Sequence, residues 1–462
     1  MATKELTGRW DDVRSPYSGE VVGRAPVSSA GDARRAIDAA DAAMRSPLPA
    51  HQRAAILERV SAAIVEHHEE LAQTISAEAG KPIKAARVEA ARGVDTYRAA
   101  ADVARTLTGE TIPFDASPAG EGKLGFTLRV PIGIVGAITP FNFPLNLVAH
   151  KLAPALAAGC AVVLKPAPGT PLTAFRLAEL TAEAGLPDGW LSVLHGPASE
   201  IGDVLVEDER VKALTFTGSG PVGWGLRARA PRKRVLLELG NSTPLIVAAD
   251  ADLEAAAAAA ARTAFAYSGQ ACISLQRIYV HRDVYEEFTG RFLPKVAALV
   301  VGDPADEATD VGPVIDVRSR ERILDWIERS GGEVLTGGVL TDEGLIPPTV
   351  VASPRHDSEL SCAEAFGPVC TLQPYGTEEE AFAGANATPY GLQAGIFTRD
   401  LGLALRAVRR LEFGGVTVNE APSWRVDHMP YGGIKESGNT REGPRAAVRE
   451  LTEERLVVID AR

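Results

Sequence analysis

Cysteine is scarce in this sequence. Four residues, Cys160, Cys272, Cys362 and Cys370, are scattered over 462 positions, too few for a disulfide framework and without a CxxC pair for zinc or dithiol chemistry. No metal site is expected, and a reducing compartment, the cytoplasm, is. Long apolar runs are absent too. The opening stretch MATKELTGRWDD has no hydrophobic segment for export, and the alanine-rich run at 251–266 is short and flanked by charge, so a membrane location is not expected. Excess positive charge is also missing. With 48 Lys and Arg against 60 Asp and Glu, the formal net charge is −12, which disfavours nucleic acid as a partner. The one dense basic run, RARAPRKR at 227–234, reads as a solvated helix end and loop.

What the chain does have is length, too much for a single core, so two or more large lobes are expected. Residues 31–107 carry apolar positions at spacings of three and four, and HQRAAILERVSAAIVEHHEELAQTISAEAG reads as a helix capped by Gly80. KLGFTLRVP alternates like a strand, and IGIVGAI is an apolar run suited to a buried parallel sheet. Strand-like and helix-like segments then alternate through GCAVVLKP, PLTAFRLAELTAEAG, WLSVLHG, IGDVLVED, VKALTFTGS and VLLELG. That order implies βαβ units and a nucleotide-binding lobe with helices on both faces. A second α/β lobe begins near STPLIVAAD. The polar connection PADEATDVGPVIDVRSR (304–320) is expected to run over the surface.

Several residues are placed for chemistry. In FTGSGPVG (216–223), Gly218 and Gly223 follow a strand and open a helix whose amino end offers N–H groups to a phosphate. The GxxxxG spacing is neither the dinucleotide fingerprint nor a Walker loop, so a plain strand-turn-helix stays open. Lys165 ends the strand AVVLK, where open α/β sheets bind ligands, although a solvated strand-end lysine looks the same. Glu238 leaves an apolar strand as either an ion-paired structural carboxylate or a base with a raised pKa. Cys272, in YSGQACISLQR, is either a buried small residue or a nucleophile activated by a helix end, a cation or a base. Asn142, between the prolines of TPFNFPLN, could donate to an oxyanion.

Together these segments resemble the NAD(P)+-dependent aldehyde dehydrogenase superfamily, over about residues 10–459. The resemblance rests on PFNFPLN, VVLKPAPGTPLTA, FTGS, LELG, FAYSGQAC, AEAFGPV and MPYGGIKESG in that order. It implies an α/β fold with a Rossmann-type cofactor lobe (1–112 and 132–238), a second α/β catalytic lobe (239–445) and a small β oligomerisation element (113–131 and 446–462). By the same resemblance Cys272 would be the nucleophile and Glu238 the base for deacylation. Asn142 and the Cys272 backbone N–H would form the oxyanion hole. NAD or NADP would lie against Thr139, Phe141, Lys165, Pro168, Gly218, Ser219, Glu364 and Phe366, with Lys165 and Glu364 on its two riboses. Glu442 would join a proton relay behind Glu238.

Pro168 stands where many members have a glutamate that repels a 2′-phosphate, so NADP+ is expected to be accepted beside NAD+. Ala271 leaves room beside the thiol. Phe143, Leu147 and His150 share one face at spacings of four and three, and with Ile273, Arg425 and Tyr431 they are expected to form the substrate pocket. The segment WRVDHMPYGG is similar to members acting on small oxygenated or anionic aldehydes, such as lactaldehyde and phosphonoacetaldehyde. Arg425 or His150 would meet such an anion, unless Arg425 only pairs with Asp427 or a surface acid and His150 only satisfies a local carbonyl. Self-association as a homodimer or homotetramer is expected, because a hairpin near 113–131 and a strand near 452–459 would otherwise expose edges. The alternatives are a coenzyme A-acylating dehydrogenase, whose relatives commonly lack a glutamate at the position of Glu238, and a non-catalytic descendant.

Overall fold

The computed structural model describes residues 8–460. Most of the amino-terminal stretch read for an export signal, residues 1–7, lies outside the described residues, as do 461–462. A hairpin of β1 (Trp10–Arg14) and β2 (Val21–Pro26) leads into four helices, α1 (Ala30–Met44), α2 (Ala50–Glu66), α3 (His68–Ala79) and α4 (Ile83–Thr106). The segment 51–80 is thus two helices rather than one. It breaks at His67, and the acidic pair Glu69 and Glu70 in the first turn of α3 favours a new helix start there. Gly80, at φ 64°, closes α3 in the left-handed conformation that glycine tolerates.

After β3 (Thr111–Ile112), the expected hairpin is mostly irregular. Residues 114–120 form two 3-10 turns, and the second strand, β4 (Lys123–Pro131), starts only at Lys123. The apolar runs that follow become a parallel sheet of β5 (Ile134–Ile138), β6 (Val162–Lys165), β7 (Leu191–Val193), β8 (Val211–Thr217) and β9 (Arg234–Glu238), in the order β7-β6-β5-β8-β9. The connecting helices are α5 (Asn146–Ala158), α6 (Leu172–Glu183), α7 (Asp203–Glu207) and α8 (Gly220–Arg229). With both faces covered, the strands need no polar alternation, and every side chain of β6 is buried. Successive connections run one way from β5 through β6 to β7 and then switch to β8 and β9, so a ligand crevice opens at the carboxyl ends of the strands. Lys165 and Glu238 are the last residues of β6 and β9, Thr139 directly follows β5, and Gly218 directly follows β8.

β9 passes into the second sheet within four residues. That sheet contains β10 (Thr243–Val247), β11 (Leu275–His281), β12 (Glu333–Thr336), β13 (Thr349–Ala352), β14 (Val369–Tyr375), β15 (Gln393–Phe397) and β16 (Gly415–Val418), in the order β12-β13-β14-β11-β10-β15-β16. Only β12 is antiparallel to its neighbour. The alanine-rich run is α9 (Leu253–Phe265), packed on this sheet. A third, small sheet pairs β4 with β3 and with the last strand, β17 (Thr452–Asp460). Within the segment assigned from residue 446 to self-association, Val448 and Leu451 instead belong to the first core, beside α4 and α5. No helix among the described residues is long and apolar enough to cross a membrane.

The connection at 304–320 does not stay on the surface. Val311, Gly312, Pro313 and Val314 are buried, and their carbonyls brace the loop that carries Cys272. Ser268 Oγ donates to Gly312 O at 2.8 Å and Gln270 Nε2 to Pro313 O at 3.4 Å.

Candidate active site

The chain turns sharply before Cys272. Tyr267 and Ser268 adopt φ of 49° and 54°, left-handed values that side chains disfavour, and Gly269 follows at 68°. Three contacts hold the turn. Tyr267 OH donates to Ala79 O at 3.0 Å, Ser268 Oγ is tied to Gly312, and Gly269 lies so close to the Gly367 carbonyl that a Cβ would collide with it. Cys272 is half-buried and lines a cavity of about 390 Å3, a size suited to a small ligand. Its Sγ is 2.9 Å from Tyr431 OH. Burial pushes the thiol up to about 12, while the Tyr431 hydrogen bond and the Arg425 charge pull the other way.

Asn142 is buried, and its Nδ2 donates to Gln270 O at 2.9 Å, two residues before the thiol. Its Oδ1 has no partner. On the other side, Glu238 is 4% exposed with both carboxylate oxygens buried and unpartnered. This removes the ion-paired reading of Glu238. Desolvation and then the Glu442 charge raise its pKa well above the ordinary glutamate value, against Lys151, Arg425 and Arg441. For Glu442, burial also favours the neutral form, but Lys151, His150 and Arg425 bring it down to about 2. The negative charge of the pair therefore resides on Glu442, which accepts from Lys151 Nζ at 3.4 Å and from Arg425 Nη2 at 3.2 Å. A Cβ on Gly432 would lie 2.6 Å from Glu238 Oε1, so the carboxylate packs against the residue that follows Tyr431.

Phe143, Leu147, Ala271, Ile273, Arg425 and Tyr431 line the cavity as expected. Phe143, however, lies in the turn before α5 and not on it. His150 does not line the cavity. Fully buried, it sits behind Arg425, with Nε2 2.9 Å from Asp427 Oδ1 and 3.1 Å from Arg425 Nη2, and burial and Arg425 lower its pKa. Nor does Arg425 pair with Asp427. Asp427 instead takes Arg92 in a two-bond contact of 2.8 and 3.1 Å, which leaves Arg425 to Glu442.

The crevice on the other side of the thiol has the groups a dinucleotide needs. Lys165 is buried, with a contact of 3.5 Å to the carbonyl of its own neighbour Pro166, and burial lowers its pKa. The hydroxyls of Thr139 and Thr217 are buried without partners, an arrangement expensive to keep unless a ligand satisfies it. Ser219 is exposed at the start of α8 and makes no capping bond, so the helix amino end stays available to a phosphate. Pro168 occupies an exposed turn. From the second sheet, Glu364 accepts from Asn241 N at 3.0 Å, and burial pushes its pKa up to about 7 against Asn241 and Arg322. Phe366, at φ 48°, meets Phe141 edge to face at 5.7 Å, so loops from both sheets converge. These residues fit a nicotinamide dinucleotide.

Sequence reasoning missed Lys81, Glu89 and Arg92, which also line the cavity. They stand on or beside α4, and only its buried polar positions, Glu89 and Thr96 within an otherwise apolar face, carried a signal.

Fold, thiol, unpartnered glutamate and dinucleotide crevice define an aldehyde dehydrogenase. The chain belongs to the aldehyde dehydrogenase family, whose model matches residues 4–457. It is 42% identical to 3-sulfolactaldehyde dehydrogenase of Priestia aryabhattai over 98% of this chain and 97% of that one. Among solved structures it is similar to aldehyde dehydrogenase 21 of Physcomitrella patens in complex with the product succinate, at TM-score 0.95 and 42% identity over 99% and 97% of the two chains. It is also similar to glyceraldehyde-3-phosphate dehydrogenase of Methanocaldococcus jannaschii complexed with NADP, at TM-score 0.93 and 41% identity over 98% and 100%. Its activity is oxidation of an aldehyde to the carboxylic acid with NAD(P)+.

Proposed function

We propose that the substrate is a small aldehyde carrying an anionic group, hydroxylated or not, and that Cys272, Asn142 and Glu238 perform the chemistry. The observation that carries the substrate reading is the lining of the cavity. Lys81, Arg92, Arg262 and Arg425 face it against the single carboxylate of Glu89. Lys81, Arg92 and Arg425 are paired with Glu89, Asp427 and Glu442, but Arg425 also keeps a buried Nε without a partner, a donor for a carboxylate, sulfonate or phosphate. The three relatives agree in kind, since sulfolactaldehyde, succinate and glyceraldehyde 3-phosphate all carry an anionic group.

In this reading the Cys272 thiolate adds to the carbonyl carbon, and the resulting alkoxide accepts from Asn142 Nδ2 and from the Cys272 N–H. Lys165 and Glu364 would hold the two riboses of the dinucleotide, whose nicotinamide would supply the hydride acceptor. The acyl group is then held on Cys272 as a thioester. Glu238 takes a proton from water, the resulting hydroxide attacks the thioester carbon, and the carboxylic acid leaves as the thiolate is restored. Glu442, held by Lys151 and Arg425, keeps its negative charge behind Glu238 and raises the Glu238 pKa, a positioning role in place of a proton relay, since both Glu238 oxygens are unpartnered. The small sheet supports self-association, and the four free thiols support the cytoplasm as the location.

Small aldehydes with and without a sulfonate, carboxylate or phosphate, followed at the nicotinamide absorbance with NAD+ and NADP+ in parallel, test the substrate reading. The anionic members should exceed their neutral counterparts in kcat/KM by at least tenfold. Equal values for the two groups would overturn it.

A further inference from the structure

Cys272 lacks one of the usual means of stabilising a thiolate. No helix begins at it: three residues on, the chain enters β11, so no bundle of amino-end N–H groups faces the sulfur. What does face it is a phenol. Tyr431 OH stands 2.9 Å from Sγ, and among the described residues the sulfur is the one hydrogen-bond partner recorded for that hydroxyl. The Arg425 guanidinium lies over the same ring, 3.8 Å from its centroid, where a cation favours negative charge on the phenol oxygen and so strengthens its O–H as a donor.

The two side chains are fixed by one residue. Tyr431 and Glu442 form an antiparallel bridge, with Tyr431 N donating to Glu442 O at 3.1 Å and Glu442 N to Tyr431 O at 2.6 Å. The Glu442 carboxylate then holds Arg425 above the ring at 3.2 Å. His150 Nε2 lies 3.1 Å from the same Arg425 nitrogen and packs behind it, with its own proton donated to Asp427 at 2.9 Å. Phenol, guanidinium and carboxylate thus form a closed unit whose free end is the hydroxyl on the sulfur.

We propose that Tyr431 is a further catalytic residue, donating its hydroxyl proton in a hydrogen bond to the Cys272 thiolate, with Arg425 setting the strength of that donation. The proposal rests on the reading of Cys272 as nucleophile. The phenol keeps its proton throughout. The thiol proton leaves through the cavity to water, and when sulfur bonds to the carbonyl carbon the hydrogen bond to it weakens. The Tyr431 hydrogen bond and the Arg425 charge are the two influences that oppose the effect of burial on the thiol.

The test is the pH dependence of Cys272 alkylation by iodoacetamide, a neutral reagent, followed on the Cys272 peptide by mass spectrometry in the full-length enzyme. Tyr431→Phe keeps the ring and its stacking and removes only the hydroxyl. The profile should move to higher pH by about one unit, so that alkylation at neutral pH slows about tenfold, while cofactor binding is unchanged. Arg425→Met should shift the profile in the same direction and add less in the Tyr431→Phe background than alone. An unmoved profile in Tyr431→Phe with intact cofactor binding would overturn the proposal, as would full additivity of the two changes. Failure of the underlying reading is separate: it requires steady turnover by Cys272→Ala.

Discussion

Lys81 and Glu89 form an ion pair in which neither side chain is more than 1% exposed, and between them they clamp the loop that carries Asn142. Lys81 Nζ also donates to Asn142 O at 2.6 Å and lies 3.7 Å from the centroid of the Phe143 ring. The other Glu89 oxygen accepts from Leu145 N and Asn146 N at 2.9 and 3.1 Å, satisfying backbone donors at the start of α5. Both ends of the 142–146 turn are therefore fixed from below by a charge pair that water does not screen.

Removing one partner should leave an uncompensated buried charge. Lys81→Met is expected to cost about 3–5 kcal/mol in urea unfolding and to lower kcat more than it raises KM, because Asn142 loses its support. An unaltered denaturation midpoint would show that the pair does not hold the loop.

Cys272 and Glu238 should fail at different steps. Cys272→Ala is expected to bind cofactor and give neither burst nor turnover. Glu238→Gln should give a burst of reduced cofactor near one equivalent per active subunit, then release acid very slowly. By the proposed mechanism, thioester hydrolysis in the unaltered enzyme requires the Glu238 carboxylate. Since its pKa is raised, that step should weaken as pH falls at values above the ordinary glutamate 4.5, and Glu238→Gln should lose this dependence. Undiminished steady turnover by Glu238→Gln in rapid-mixing experiments would remove its assigned role.

Pro168 offers no carboxylate against a 2′-phosphate, so both nicotinamide cofactors should turn over. Pro168→Glu should shift the ratio of kcat/KM values toward NAD+ by at least about tenfold, or ~1.4 kcal/mol. If the unaltered enzyme prefers NAD+ by more than roughly a thousandfold, about 4 kcal/mol, a repulsive group other than residue 168 must exist and the argument fails.

The small sheet leaves Leu124, Leu128, Leu456, Val458 and Ile459 between 45% and 54% exposed, and among the described residues β17 has a strand on one side alone. A second copy of the chain is the expected cover. Sedimentation should give a dimer or tetramer at micromolar concentration, and Leu456→Glu with Val458→Glu should dissociate it. A stable monomer of the unaltered chain would refute this.

The sequence was most informative where the proposed chemistry depends on short contiguous segments. FAYSGQAC, LELG and PFNFPLN carry the thiol, the carboxylate and the amide, and apolar runs such as VVLK mark strands covered on both faces. It was least informative where a role depends on a partner far along the chain. Arg425 reads as a pocket residue or as the partner of Asp427 or a surface acid, and nothing near it in sequence shows that Glu442 and His150 lie against it in the interior, while Asp427 finds Arg92 across 335 positions. The polar composition of 304–320 concealed Val311–Val314, because four buried residues inside a charged loop have no periodicity to show. The break at His67 was hidden for the opposite reason: apolar spacing continues across it, and only the acidic pair at 69 and 70 marks the new start.

Gly269 and the Gly367 carbonyl touch so closely that no side chain fits between them. The loop bearing the thiol and the loop bearing Glu364 and Phe366 are therefore mechanically one piece. Redesign of this enzyme for another cofactor by lengthening or reshaping residues 363–368 would displace the sulfur as well, whereas changes at Pro168, in an exposed turn on the other sheet, leave that junction alone. Of the two proposed cofactor contacts, the turn at 168 is the one that evolution or an engineer can vary without retuning the thiol.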